Sequence, residues 1–181
     1  IKTALKHNVF SANESIRTVS IKCYSYLFAI LTKYWQDGID DIIRSFSNAN
    51  LLPYGYIGLI SIMCEIINLV EIVDGLVPDF NDQFNQTIVF CIDILSKDKS
   101  DERYIPELRI EACGFIQDTI FMYKEIFDDI DTKAAKIPTL LEKLSNSYQL
   151  DNTELFRMLH QLLFMIIKQY YSQSRAFIEQ I

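Results

Sequence analysis

Apolar residues recur at three- and four-residue intervals along nearly the whole chain, broken only by short polar or turn-forming clusters. After a first short piece from Ile1 to Phe10, Ser11 and Glu14 stand in capping-box spacing, a hydroxyl followed three residues later by a carboxylate. The spacing predicts a long helix from about Asn13 to Tyr34. On a wheel of about 100° per residue, Ile16, Val19, Cys23, Leu27, Ile30 and Tyr34 share one side, and Thr18, Lys22, Ser25 and Thr32 share the other. Trp35-Gln36-Asp37-Gly38 reads as a turn. A short helix from about Ile39 to Ser47 then buries Ile39, Ile42, Ile43 and Phe46.

Pro53 restarts the chain into a helix over roughly Tyr54 to Val73 that is apolar nearly all round. Pro78 and Asp79 open the next, to about Ser96, with Phe80, Phe84, Ile88, Cys91 and Leu95 inward. The charged stretch from Lys97 to Glu102 is an exposed loop. Pro106 suits the first turn of a helix that runs to about Phe127. Asp128, Asp129 and Asp131 mark another break, and a helix follows from about Thr132 to Ser147. Asp151 or Asn152 caps the last, which carries Leu155, Leu159, Leu162, Leu163, Ile166 and Ile167 and extends, kinked, towards the end. No alternating segment competes, so the fold class is all-α with seven or eight helices.

Composition sharpens this picture. Apolar residues make up 50% of the 181 and charged residues 23%, which is globular and excludes a disordered tail. Five glycines and four prolines are too few for the turns of an all-β sandwich. Seventeen Lys and Arg against 24 Asp and Glu give a net charge of -7, which argues against direct nucleic-acid binding, since neutralising phosphates takes clustered cations. The apolar run from Tyr56 to Val73 approaches a membrane span in length. Glu65 and Glu71 lie within it, and no Lys or Arg falls between Ser45 and Ser96 to set an orientation, so a helix walled in by other helices is expected and membrane insertion is not. The chain opens on Ile1 without a signal-peptide pattern and is still helical in pattern at Ile181, which reads as a piece of a longer protein. Cys23, Cys64, Cys91 and Cys113 lie 41, 27 and 22 residues apart in helical pattern, suiting neither zinc nor a disulfide scaffold, and are expected as buried reduced thiols.

A repeat runs through the helices. An apolar residue followed by Arg stands near the start of three long ones, at Ile16-Arg17, Leu108-Arg109 and Phe156-Arg157, with Tyr56-Ile57 in the equivalent place of a fourth. The spacings are about 41, 51 and 48 residues. Each long helix after the first follows another helix, which makes a unit of about 40–50 residues, the period of HEAT and armadillo arrays. The domain expected is a single segment over residues 1–181, a right-handed α-solenoid of about four HEAT-like helix pairs.

Leu108-Arg109-Ile110-Glu111-Ala112 resembles the opening of a HEAT second helix, and Ile16-Arg17-Thr18-Val19-Ser20 does so more loosely. The order SIRTVSIKCYSYLFAILTKY, then WQDG, then IDDIIRSF is similar to that in karyopherin-β (importin-β) nuclear transport receptors, nearest the branch containing transportin-SR. The tail, from Asp151-Asn152 and Phe156-Arg157 to Ser174-Arg175-Ala176-Phe177, resembles the rhythm of that branch's early repeats. The resemblance implies a non-catalytic receptor segment that binds protein cargo and a Ran-type GTPase and works in cytoplasm and nucleus. Another HEAT scaffold, such as a phosphatase or cytoskeletal regulatory subunit, is the alternative.

Catalytic chemistry is thinly supplied. There is no Gly-rich phosphate loop, no G-x-S-x-G and no H-E-x-x-H, and neither His7 nor His160 sits in a motif, so no enzyme, metal or cofactor is expected. His160 is expected as a hydrogen-bonded interface residue, and Asp40-Asp41 and Asp128-Asp129 as solvated caps. One pattern does look arranged. On the helix from Pro106, Glu107, Glu111, Asp118 and Glu125 fall within about 40° of one another, opposite a core arc of Leu108, Ala112, Ile116, Ile120, Tyr123 and Phe127. No Lys or Arg interleaves with them, so the stripe gains nothing from i,i+4 pairing. It reads either as a solvated face or as an acidic ridge for a basic protein partner.

Overall fold

The structure, a computed structural model, describes residues 2–31, 35, 37–48, 50–70, 80–98, 100–103, 105–122, 133–146 and 152–179. Among them the regular elements are helices and there is no strand, as the periodicity predicts. They are α1 (Lys2–Val9), α2 (Glu14–Leu31), α3 (Gly38–Phe46), α4 (Pro53–Val70), α5 (Asn81–Leu95), α6 (Pro106–Met122), α7 (Lys133–Asn146), α8 (Thr153–Gln169) and α9 (Tyr171–Ile178). The chain divides into two compact units, Ile1–Phe90 and Cys91–Ile181, and the division falls inside α5. The expected start at Pro78-Asp79, the break at Asp128, Asp129 and Asp131, and the capping role of Asp151 lie outside the described residues. So do Tyr34, Tyr123, Phe127 and the last turns expected of several helices.

In the first unit α2 packs along both α1 and α4, and α3 packs against α4. The cap of α2 differs from the one expected. Helix geometry begins at Glu14, which makes Asn13 the capping residue: its Oδ1 accepts from the Ile16 amide at 3.2 Å, and the Ser11 hydroxyl accepts from the Asn13 amide at 3.1 Å. Glu14 is then the first helical residue, two positions short of the third place that a capping box requires.

The buried side of α2 is also not the one the wheel suggests. Arg17, Ser20, Ile21, Tyr24, Ser25 and Phe28 face inward, whereas Ile16, Val19, Cys23 and Ile30 are exposed. The aromatic arc wins because it meets Trp35. That ring is 3% exposed and lies 4.8 Å from Tyr24 and 6.1 Å from Phe28, centroid to centroid. Two aromatic side chains closing on an indole remove more apolar surface from water than the aliphatic stripe alone. The Tyr24 hydroxyl, carried inside with its ring, donates to the Gly38 carbonyl at 3.0 Å. Burial, with Asp41 and Asp37 nearby, pushes its phenol well above the ordinary range. A Cβ on Gly38 would lie 2.9 Å from Phe28 and Trp35, so the residue that opens α3 has to be small.

Helix α3 buries Ile39 and Ile42 fully and Ile43 and Phe46 in part. Phe90 of α5 stacks on Phe46 at 4.5 Å and on Tyr56 of α4 at 5.3 Å. The Gln83 side-chain amide donates to Asp40 at 2.8 Å, while Asp41 pairs with Arg44 one turn on, so the two adjacent carboxylates, expected as solvated caps, diverge as half-buried, partnered residues within α3. Helix α4 is walled in: Tyr56, Ile57, Leu59, Ile60, Ile62, Met63, Ile66 and Ile67 are all buried. Among the described residues no helix is long and apolar enough to cross a membrane.

In the second unit α6 packs along α8, and α7, α8 and α9 pack on one another. Asn152 caps α8 by accepting from the Leu155 amide at 2.8 Å. The helix buries Leu155, Leu159, Leu162 and Ile166, with Leu163 and Ile167 half-buried at the margin. The expected kink is a break. Tyr170 leaves helical geometry, with φ -124° and ψ 45°, its ring is buried, and α9 starts at the next residue.

Two glycines test the packing from opposite directions. A Cβ on Gly58 of α4 would run into the Val9 carbonyl at the end of α1, whereas one on Gly114 of α6 would meet only the Met158 methyl, at 4.0 Å. Gly58→Ala should therefore destabilise by about 1–3 kcal/mol through overpacking. Gly114→Ala should stabilise by about 0.5–1 kcal/mol through helix propensity. Chemical denaturation of the two variants beside wild type measures both signs.

Candidate protein-interaction surface

The recurring arginines resolve into two kinds. Arg17 is buried and donates from Nη1 to the carbonyls of Ser11 at 2.8 Å and Ala12 at 3.4 Å, with its guanidinium 5.4 Å from the Tyr54 ring centroid. Arg109 is 3% exposed and donates from Nη2 to the Lys97 carbonyl. In both cases a guanidinium near the start of a long helix ties down the loop before it. Lys97 in turn reaches Asp93 at 3.1 Å and Asp101 at 4.0 Å, and Asp98 and Asp101 are held below the usual carboxylate range, chiefly by amide donors from Ser100 and Arg103. Arg157 is different. It is exposed and lies along its own helix, donating to Gln161 Oε1 at 3.2 Å and to the Met158 sulfur at 3.7 Å.

Fixing the start of α6 sets which side of it is open. Leu108, Ala112, Cys113, Phe115, Ile116, Thr119 and Ile120 are buried, and Thr119 donates its hydroxyl to the Phe115 carbonyl at 2.8 Å. On the opposite side, Ile110, Gly114, Gln117 and Phe121 are at least partly open. The acidic stripe falls at one edge of this open side. Glu107 is exposed, Glu111 and Asp118 are half-buried, and Glu125 lies outside the described residues. The expected ridge is therefore less exposed than a wheel implies, because Phe115 extends the buried arc up to it. Burial raises the Asp118 carboxyl above its ordinary value.

The other edge of the open side faces α8. Gln117 donates to the Met158 carbonyl across the helix pair at 3.1 Å. Beyond it a groove of about 630 Å³ lies between the helices, with Ile120, Met165, Phe121, Phe164 and Lys168 among its lining. Phe121 is 78% exposed and Phe164 67%. Two phenylalanines this open beside one concavity are the main feature sequence reading missed. Phe121 falls off the core arc on the wheel, about 40° from Glu107, so the spacing held a signal for it; Phe164 was hidden by a helix with apolar residues on several sides.

The histidine and the cysteines lie apart from this groove. His160 is exposed on α8, its ring centroid 5.5 Å from that of Phe156. No cluster of three His, Cys, Asp or Glu suited to a metal occurs among the described residues. The cysteines are free thiols, but only Cys91 and Cys113 are buried; Cys64 is half-buried and Cys23 is exposed, against expectation, because α2 turns its other side inward. Burial pushes the Cys91 thiol well up and that of Cys113 to about 12, the latter against the opposing pull of Arg109.

Two substitutions separate structural from surface roles. Arg109→Ala should cost about 2–3 kcal/mol by stranding the Lys97 carbonyl, and Arg157→Ala should stay within about 0.5 kcal/mol. For Asp118 the sign follows from its raised folded-state pKa. Folding favours the protonated form, so the stabilising contribution is complete below the unfolded carboxylate value of 3.8 and is lost as pH rises through the folded one. Asp118→Asn should then raise stability at pH 7 and lose that advantage in acid, which urea melts at the two pH values measure. Neither a family model, nor a curated protein, nor a solved structure matches the chain.

Proposed function

We propose that the chain is a non-catalytic protein-binding segment of a helical-repeat scaffold, built as a right-handed solenoid of HEAT-like pairs, with the open side of α6 and α8 as its working surface. The observation that carries this reading is the groove between those helices, flanked by Phe121 and Phe164. Large apolar side chains this exposed, rimmed by polar groups, mark an interaction site. Two further observations support the repeat reading. The long helices pack side by side, α2 with α4 and α6 with α8, and Arg17 and Arg109 anchor their preceding loops in the same way.

The form of scaffold proposed is a segment of a nuclear transport receptor, working in cytoplasm and nucleus, that binds protein cargo and a Ran-type GTPase. This rests on the sequence resemblance to karyopherin-β receptors. Immobilised protein offered a Ran-type GTPase locked with GTP or with GDP should retain the GTP form alone. If the acidic edge of α6 contributes, Glu107→Lys should reduce retention, and the difference should shrink at salt above about 0.15 M, where the Debye length drops below about 8 Å. Equal retention of both nucleotide states, or of neither, would overturn the receptor reading.

A further inference from the structure

The apolar lining of the α6–α8 groove is Ile120 and Phe121 on one wall and Phe164 and Met165 on the other, and its polar lining is Lys168 with three glutamines. Lys168 is the charged group of that lining. It is exposed and has no carboxylate partner among the described residues. Glu107, Glu111 and Asp118 do not line the groove, since they fall at the other edge of the open side of α6. The one formal charge that an occupant meets there is therefore positive.

Two of the glutamines are turned by their neighbours. A guanidinium can only donate, so Arg157, at 3.2 Å, holds the carbonyl oxygen of Gln161 and leaves the Gln161 Nε2 free to donate. Gln117 gives its Nε2 to the Met158 carbonyl, which leaves its Oε1 to accept. The α8 wall thus offers N–H donors at Gln161 and at Lys168, about 10 Å apart along the helix, with Phe164 and Met165 between them. A carboxylate set against the ammonium gains a charge-assisted hydrogen bond, whereas a second cation in the same place is repelled. The groove's 630 Å³ is of the size that takes a short segment or a small molecule, and a globular surface would not enter it.

We infer that the α6–α8 groove receives a short apolar segment of a partner protein that bears a carboxylate, its apolar side chains seated between Phe121 and Phe164 and its carboxylate at Lys168. The inference rests on the scaffold reading above and names the chemistry of the partner at that site. Its sign is opposite to that of the basic partner expected at the acidic edge of α6, so the two edges of one helix select different groups. The aromatic contacts supply most of the affinity, and the ammonium decides among apolar segments.

The test uses three labelled peptides of about eight residues, acetylated and amidated, that share a Leu-Phe-Leu centre and are flanked on both sides by Glu, by Gln or by Lys. Fluorescence anisotropy with the whole chain should rank them Glu, then Gln, then Lys, with Glu favoured over Lys at least about threefold at low salt. Lys168→Glu should invert this order and Lys168→Gln should erase it. Both changes are at an exposed position, and thermal melts check that the variants are folded. Phe164→Ser should weaken all three peptides by a similar factor, about tenfold, without changing their order. A benzophenone-bearing Glu peptide, which needs no variant, should crosslink to α6 and α8. An order that favours Lys, one that the Lys168 changes leave as it was, crosslinks elsewhere, or no binding at about 1 mM would each overturn the inference. Weakening by Phe164→Ser without any preference for Glu over Lys would sink this inference and leave the scaffold reading standing. Failure of every peptide together with equal retention of both GTPase states would end both.

Discussion

A guanidinium taken into an apolar interior has to find its hydrogen bonds there, and this constraint organises both halves of the chain. Arg17 and Arg109 each enter the protein near the start of a long helix and meet it with carbonyls of the segment just crossed. The result is that the segment leading into α2 and the loop leading into α6 are each tied to the helix they precede. Removing such a group is costly because the carbonyls it serves would be left to find other donors.

The two long helices then solve the same problem with different residues. Helix α2 has apolar side chains on more than one arc and only part of them can be covered. Tyr24 and Phe28 are covered, since Trp35 folds back onto them, and Ile16, Val19 and Ile30 are left open. Helix α6 covers Leu108, Phe115 and Ile116 and leaves Phe121 outside. In both cases the large exposed residues are what remains after the best aromatic or aliphatic contacts have been made, and not a failure of the core.

The helical character of the chain was legible because its apolar spacing holds for many turns, and the caps at Pro106 and Asn152 follow from residue type alone. The side of α2 that would be buried was not legible. Periodicity ranks Ile16, Val19 and Cys23 as a coherent stripe, but it cannot see that a tryptophan a few residues past the helix supplies a partner for the other arc. The Ser11–Glu14 pair failed for a smaller reason, a helix start displaced onto Asn13. At the candidate site the acidic edge of α6 was visible in the spacing of Glu107, Glu111 and Asp118. Its partial burial comes from Phe115 turning inward beside it, and the groove at the other edge depends on α8, about forty residues on, which no local pattern reveals.

The bond from Gln117 to the Met158 carbonyl gives the second unit a built-in measure of length. Were α6 to slide along α8 by even one residue, a rise of about 1.5 Å, that contact would be strained or lost. With the walls held in register, the distance from Phe121 to Phe164 belongs to the protein and not to whatever lies between them. The width of the groove is therefore set by the contact of its own two walls, and opening it would cost the bond that keeps them in step.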